Sequence, residues 1–162
     1  MSTNLPMVHV SDLDNHDTVS DSDYIVLGQG IDAKKITVAD MRKALGIDVK
    51  QKLLADSPAF MNASQSITLR EKISDQKNGI VLVFSEYGDG EVKNAQKSCF
   101  FIPKMAVSLL SGMGFVFSCE SPFDASVIMK KYLYITDTTI RGNDLNMSGG
   151  NAKYVLQYVI GC

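Results

Sequence analysis

The residues best suited to chemistry are His9 and His16, the only two histidines of this 162-residue chain. They stand among Asp12, Asp14 and Asp17, and Asp12, Asp14 and His16 alternate as calcium ligands might. An EF-hand loop needs glycine at its sixth position and glutamate at its twelfth. Counted from Asp12, those positions hold Asp17 and Asp23. Zinc is no better served, because no cysteine or third histidine lies near. The expected reading is a solvated acidic arm with no metal.

Nucleophilic catalysis needs a base beside a serine or cysteine. Both histidines lie outside the stretch that reads as folded, and Ser111 lacks a G-x-S-x-G frame. The carboxylate pairs Glu86/Asp89 and Glu120/Asp124 have the chemistry of glycoside hydrolysis, but both fall in turn-like segments where acids are usually solvated. Gly28, Gly30 and Ala33 match G-x-G-x-x-A after a strand. A dinucleotide loop needs a helix to begin there, whereas Lys34-Lys35-Ile36 reads as strand, so a hairpin turn is expected. No cofactor and no enzymatic activity follow from these residues. Tyr132, Tyr134, Tyr154 and Tyr158 fall at period two in strands, giving each strand a tyrosine-bearing face suited to core packing, subunit contact or a glycan.

The elements behind these residues divide into three. Residues 1–23 hold five aspartates and no lysine or arginine. They read as an extended arm with one apolar patch, Leu5, Met7, Val8 and Val10. Residues 24–58 read as a connector: a short strand pair, then a helix capped by Thr37 with Asp40 at the third position, ending at Gly46. A second amphipathic stretch is expected over 49–55, stopped by Pro58. Residues 59–162 read as short strands at Ser66–Leu69, Ile80–Phe84, Phe100–Pro103, Phe115–Phe117, Lys131–Ile135 and Tyr154–Ile160. Their turns include Asn78-Gly79 and Asp89-Gly90. The predicted class is mainly β: an antiparallel, jelly-roll-like β-sandwich preceded by arm and helical connector.

A net charge of -2 argues against a nucleic-acid or anionic-membrane partner, and no apolar run approaches a membrane span. No secretory leader is expected, since no basic region precedes an apolar one at the start. Cys99, Cys119 and Cys162 form no CxxC pair and read as thiols of a reducing assembly environment.

Two groups of segments carry a resemblance. Asp23–Leu27, Lys35–Met41 and Leu45-Gly46 are similar to a connector of bacteriophage tail and head fibres. Ile67–Leu69, Ile73-Ser74, Asn78–Val83, Phe100–Lys104, Lys131–Ile135 and Asn151–Gly161 resemble a C-terminal module of the same fibre proteins. The resemblance implies a homotrimeric virion structural protein, assembled in the host cytoplasm. Its N-terminus would dock on capsid or tail proteins and its β-domain would face outward. Docking would use Leu5, Met7, Val8, Val10, Asp12 and Asp14. The helical connector would place Met41, Leu45 and either Leu53 or Leu54 at the trimer axis, although folding back on the chain's own sandwich would bury them equally well. The loops 86–97, 108–114 and 137–150, with Asn143 and Asp144, are the expected ligand-binding tips for a host cell-surface glycan. The chain lacks the long shaft of typical tail fibres, which favours a head fibre, a decoration protein or a tail adaptor. The alternatives are a carbohydrate-binding module and a polysaccharide hydrolase.

Overall fold

A computed structural model describes residues 20–29, 32–46, 51–121 and 124–162. The chain divides into two compact units, Met1–Asp48 and Val49–Cys162.

In the first unit, β1 (Tyr24–Gln29) and β2 (Asp32–Thr37) form an antiparallel hairpin, followed by α1 (Val38–Ala44). Gly28 is the register partner of Ala33, so the G-x-G-x-x-A stretch is strand on both arms of a hairpin. The helix starts where Thr37 caps it. Thr37 Oγ1 accepts the Asp40 N–H at 3.0 Å and donates to the Asp40 carboxylate at 2.7 Å. The remaining free N–H groups of the first turn find other acceptors: Val38 donates to the Asp23 carbonyl and Ala39 to that of Asp21. Gly46, at φ +64°, ends the helix in the left-handed conformation that glycine adopts without cost.

The second unit is mainly β, as the sequence predicts. Its strands are β3 (Lys52–Ala55), β4 (Ser66–Thr68), β5 (Gly79–Gly88), β6 (Glu91–Pro103), β7 (Gly114–Ser121), β8 (Asp124–Ile135), β9 (Thr139–Arg141) and β10 (Tyr154–Gly161). A first sheet has the order β3-β10-β5-β6 and a second β4-β9-β8-β7, with every pairing antiparallel. Both sheets contribute to one core. The rings of Phe84, Phe100 and Phe117 meet between them at centroid distances of 5.2–5.8 Å. Ile80, Leu82, Leu133, Ile135, Ile140, Leu156 and Val159 complete its centre.

Three expectations are corrected. The stretch expected to be a second amphipathic helix contains strand β3, paired to β10. Four residues are too few for periodicity to separate strand from helix, and pairing with β10 decides it. Alternation then sends Leu54 into the core, 1% exposed, and Leu53 outward, 42% exposed. The second unit accordingly begins at Val49 and includes β3. Next, the segment 86–97 is the hairpin β5–β6 and not a loop. Only Asp89-Gly90 turns, both at positive φ, as a two-residue hairpin requires. Finally, part of the expected loop 108–114 belongs to the helix α2 (Lys104–Leu109), which crosses from the first sheet to the second and buries Val107.

Candidate association surface

In a two-layer antiparallel sandwich, outward positions are normally polar. The first sheet departs from this. Its register aligns Leu53, Ile160, Val81 and Phe101 as one row across all four strands. Their neighbours along each strand, Leu54, Val159, Leu82, Ile80, Phe100 and Ile102, face the core, so the row faces away from it. Phe101 is 54% exposed, and Val81 and Ile160 are half-buried. The next outward row is Tyr158, Val83 and Cys99, and Cys99 is exposed. These two rows carry no charged side chain. The central strands β5 and β10 are therefore apolar on both faces, the pattern of strands covered on both sides.

The third outward row ends the apolar zone. Lys97 Nζ donates to Ser85 Oγ at 2.8 Å, Gln157 Oε1 at 2.6 Å and the Lys93 carbonyl at 3.2 Å. Ser85 Oγ also donates to Gln157 Oε1, and Gln157 Nε2 donates to Tyr158 Oη at 2.9 Å. A serine within hydrogen-bond reach of a lysine is the geometry of nucleophile and base. Here Lys97 donates to the serine oxygen and the serine directs its own proton to Gln157, away from the amine. Ser85 is also fully buried. The cluster satisfies buried polar groups and does not form a catalytic pair.

The tyrosines do not share a face. Gln157 is an extra residue, a bulge between Leu156 and Tyr158. It shifts the alternation, so Tyr154 points into the core while Tyr158 points outward. Tyr132 and Tyr134 lie together on the outer side of the second sheet, 5.2 Å apart, with the Arg141 guanidinium over the Tyr134 ring.

Asn143 and Asp144 are tied into the fold. Asn143 Oδ1 caps a 3-10 turn by accepting the Leu145 N–H, and its Nδ2 donates to Tyr134 Oη. Asp144 Oδ1 accepts the Ala63 N–H. These bonds hold the 143–147 segment, so substituting either residue would cost stability as well as any binding.

Of the other expected site residues, Leu5, Met7, Val8, Val10, Asp12 and Asp14, and both histidines, lie outside the described residues. Met41 is half-buried and Leu45 is 60% exposed, both in the first unit. Leu53 belongs to the outward row. Leu54 is core and cannot contact another subunit. Around the β5–β6 turn, Glu91 and Asp89 both pair with Lys93, whose amine these two bonds push upward in pKa. Lys52 holds the Glu71 carboxyl below the usual range by its hydrogen bond.

A groove of about 410 Å³ lies beside α2, lined by Ser74, Lys104, Met105, Val107, Ser108, Ser111 and Asp137. It brings together parts of two expected ligand loops, 108–114 and 137–150. Asp137 is fixed there by the Ser74 N–H at 2.7 Å and Ser74 Oγ at 2.9 Å.

Sequence reasoning missed a buried polar network. Lys131 is fully buried on the core side of β8. Its amine donates to the carbonyls of Phe60 at 3.3 Å and Asn146 at 3.1 Å. Burial pushes its pKa down to about 8. Asn146, also fully buried, accepts the Tyr132 N–H at 2.6 Å and donates to the Tyr132 and Met61 carbonyls. Met61 itself is held at φ +62°, unusual for a non-glycine residue.

Compared with protein-family models, with curated proteins and with solved structures, the chain finds no match in any of the three.

Proposed function

We propose that this chain is a structural subunit of a bacteriophage particle: a homotrimeric head fibre, or a tail fibre or adaptor, docked through its N-terminal arm. The sequence resemblance supports the phage reading. The observation that carries self-association is the incomplete burial of the first unit among its described residues. Its helix has seven residues, below the ~12–15 that hold a helix in water. It buries only Val38, while Tyr24, Val26 and Leu45 remain exposed. Such a unit gains most of its stability from neighbours. Deleting residues 1–20 should leave a folded trimer that no longer joins particles. Normal incorporation of that truncation would refute the docking role of the arm.

A second reading, a carbohydrate-binding module, is supported by the α2 groove. Its serine hydroxyls, carboxylate and ammonium beside Met105 and Val107 suit a hydroxyl-rich ligand with an apolar face. Ser111→Trp would fill that groove and should abolish any glycan-array signal of the full chain. An unchanged signal would refute the groove as the site.

A further inference from the structure

We infer that the outer face of the first sheet is where copies of this chain meet, turned toward the threefold axis, with Leu53, Val81, Phe101 and Ile160 in the contact. The inference rests on the trimer reading above and adds the surface that the sequence did not place. A sheet whose two central strands are apolar on both faces suits a cover on each. Among the described residues of the second unit the core lies on one face, leaving Leu53 and Phe101 open on the other, although Val83, on a strand between theirs, is already only 6% exposed.

The chemistry of this face selects the occupant. It offers no charge across its two apolar rows, so it has no attraction for nucleic acid or an anionic lipid surface. A row running across four strands is extended, which suits another extended surface better than a small ligand. Another copy presents the same uncharged face and leaves no buried charge unpaired. Two outward rows span about 13 Å of strand, and four strands about 4.8 Å apart then give roughly 250 Å² in projection. That is about a third of the ~800 Å² per partner of a stable interface, so the contact is a modest one. A face turned to a threefold axis meets two neighbours at once.

Leu53→Lys and Phe101→Lys each set a charge on this face, at positions exposed enough to leave the subunit's own core intact. Burying an unpaired charge should weaken association by about a hundredfold or more. Val116→Lys and Ile128→Lys, exposed on the second sheet, serve as controls. The expected result by sedimentation at micromolar concentration is a trimer for the unmutated chain and both controls, and a folded monomer for both first-sheet variants. Cys99 supplies a readout that needs no variant. Its thiol is exposed in the single subunit, so assembly should slow its alkylation, followed by peptide mass. Trimers that survive both first-sheet substitutions, or Cys99 reacting freely in the assembled chain, would overturn this face while leaving the trimer reading intact. A monomeric unmutated chain would overturn both.

Discussion

Lys131→Met is expected to make the protein about 1 kcal/mol more stable at pH 7 and less stable than the unmutated chain at pH 10, so that the two stability curves cross. The lysine is fully buried, and burial lowers its pKa from 10.5 to about 8. Between those values the unfolded chain binds the proton more strongly than the folded one, so the lysine's contribution to stability rises with pH. Below pH 8 the folded protein carries the full cost of the buried charge, about 3 kcal/mol at 1.36 kcal/mol per pKa unit. By pH 10 about 2.5 kcal/mol of that cost has gone. Methionine fills similar space without charge, but it leaves the Phe60 and Asn146 carbonyls without their ammonium donor, at roughly 1 kcal/mol each. Cys119 and Tyr154, whose pKa values burial raises, act with the opposite sign. Taking the difference between variant and unmutated chain largely cancels the Tyr154 contribution, while loss of the Lys131 charge raises the Cys119 thiol further and adds to the variant's deficit at pH 10. Urea denaturation at pH 7 and 10 reads the result, and parallel curves would contradict it.

Asn146→Ala is expected to destabilise by about 4 kcal/mol, the largest loss among substitutions in this network. Strand β9 pairs with β8 only at Tyr134 and Ile135, so the β8 backbone at Tyr132 lacks a strand partner on that side. The Asn146 amide takes the place of one, closing on both the Tyr132 N–H and C=O. Removing it strands two partly buried backbone groups, at about 1–3 kcal/mol each. It also takes from the Met61 carbonyl one of its two donors, the other being the Asn143 N–H. That carbonyl helps hold Met61 in its unfavourable conformation, so the strain loses an anchor. Asn146→Leu keeps the volume and loses the same bonds. It should fall nearly as far, and a leucine variant close to the unmutated stability would show that volume, not hydrogen bonding, matters there.

What could be read from the sequence was local. The Thr37–Asp40 cap, the Asp89-Gly90 turn and the apolar run of β5 each depend on residues a few positions apart, and each stands where expected. The mainly β class follows from the sum of such signals. Elements that depend on distant pairing were not legible. Strand β3 exists because β10 accepts it, and the bulge at Gln157 reverses the side on which Tyr158 falls. The outward apolar row proposed for association was hidden for the same reason. Leu53, Val81, Phe101 and Ile160 lie far apart in sequence and form a row only through the register of three strand pairs. The buried lysine had one available signal. Met129, Lys131, Leu133 and Ile135 alternate, which places Lys131 in the inward phase of its strand. The structural bonds of Asn143 and Asp144 were not legible either, because loop asparagine and aspartate serve capping as readily as binding.

Self-association is the central claim, and the mass of the full-length chain in solution tests it most directly. Sedimentation equilibrium at micromolar concentration should give a single species of three chains, each of 17.7 kDa. A single species at the mass of one chain would contradict it.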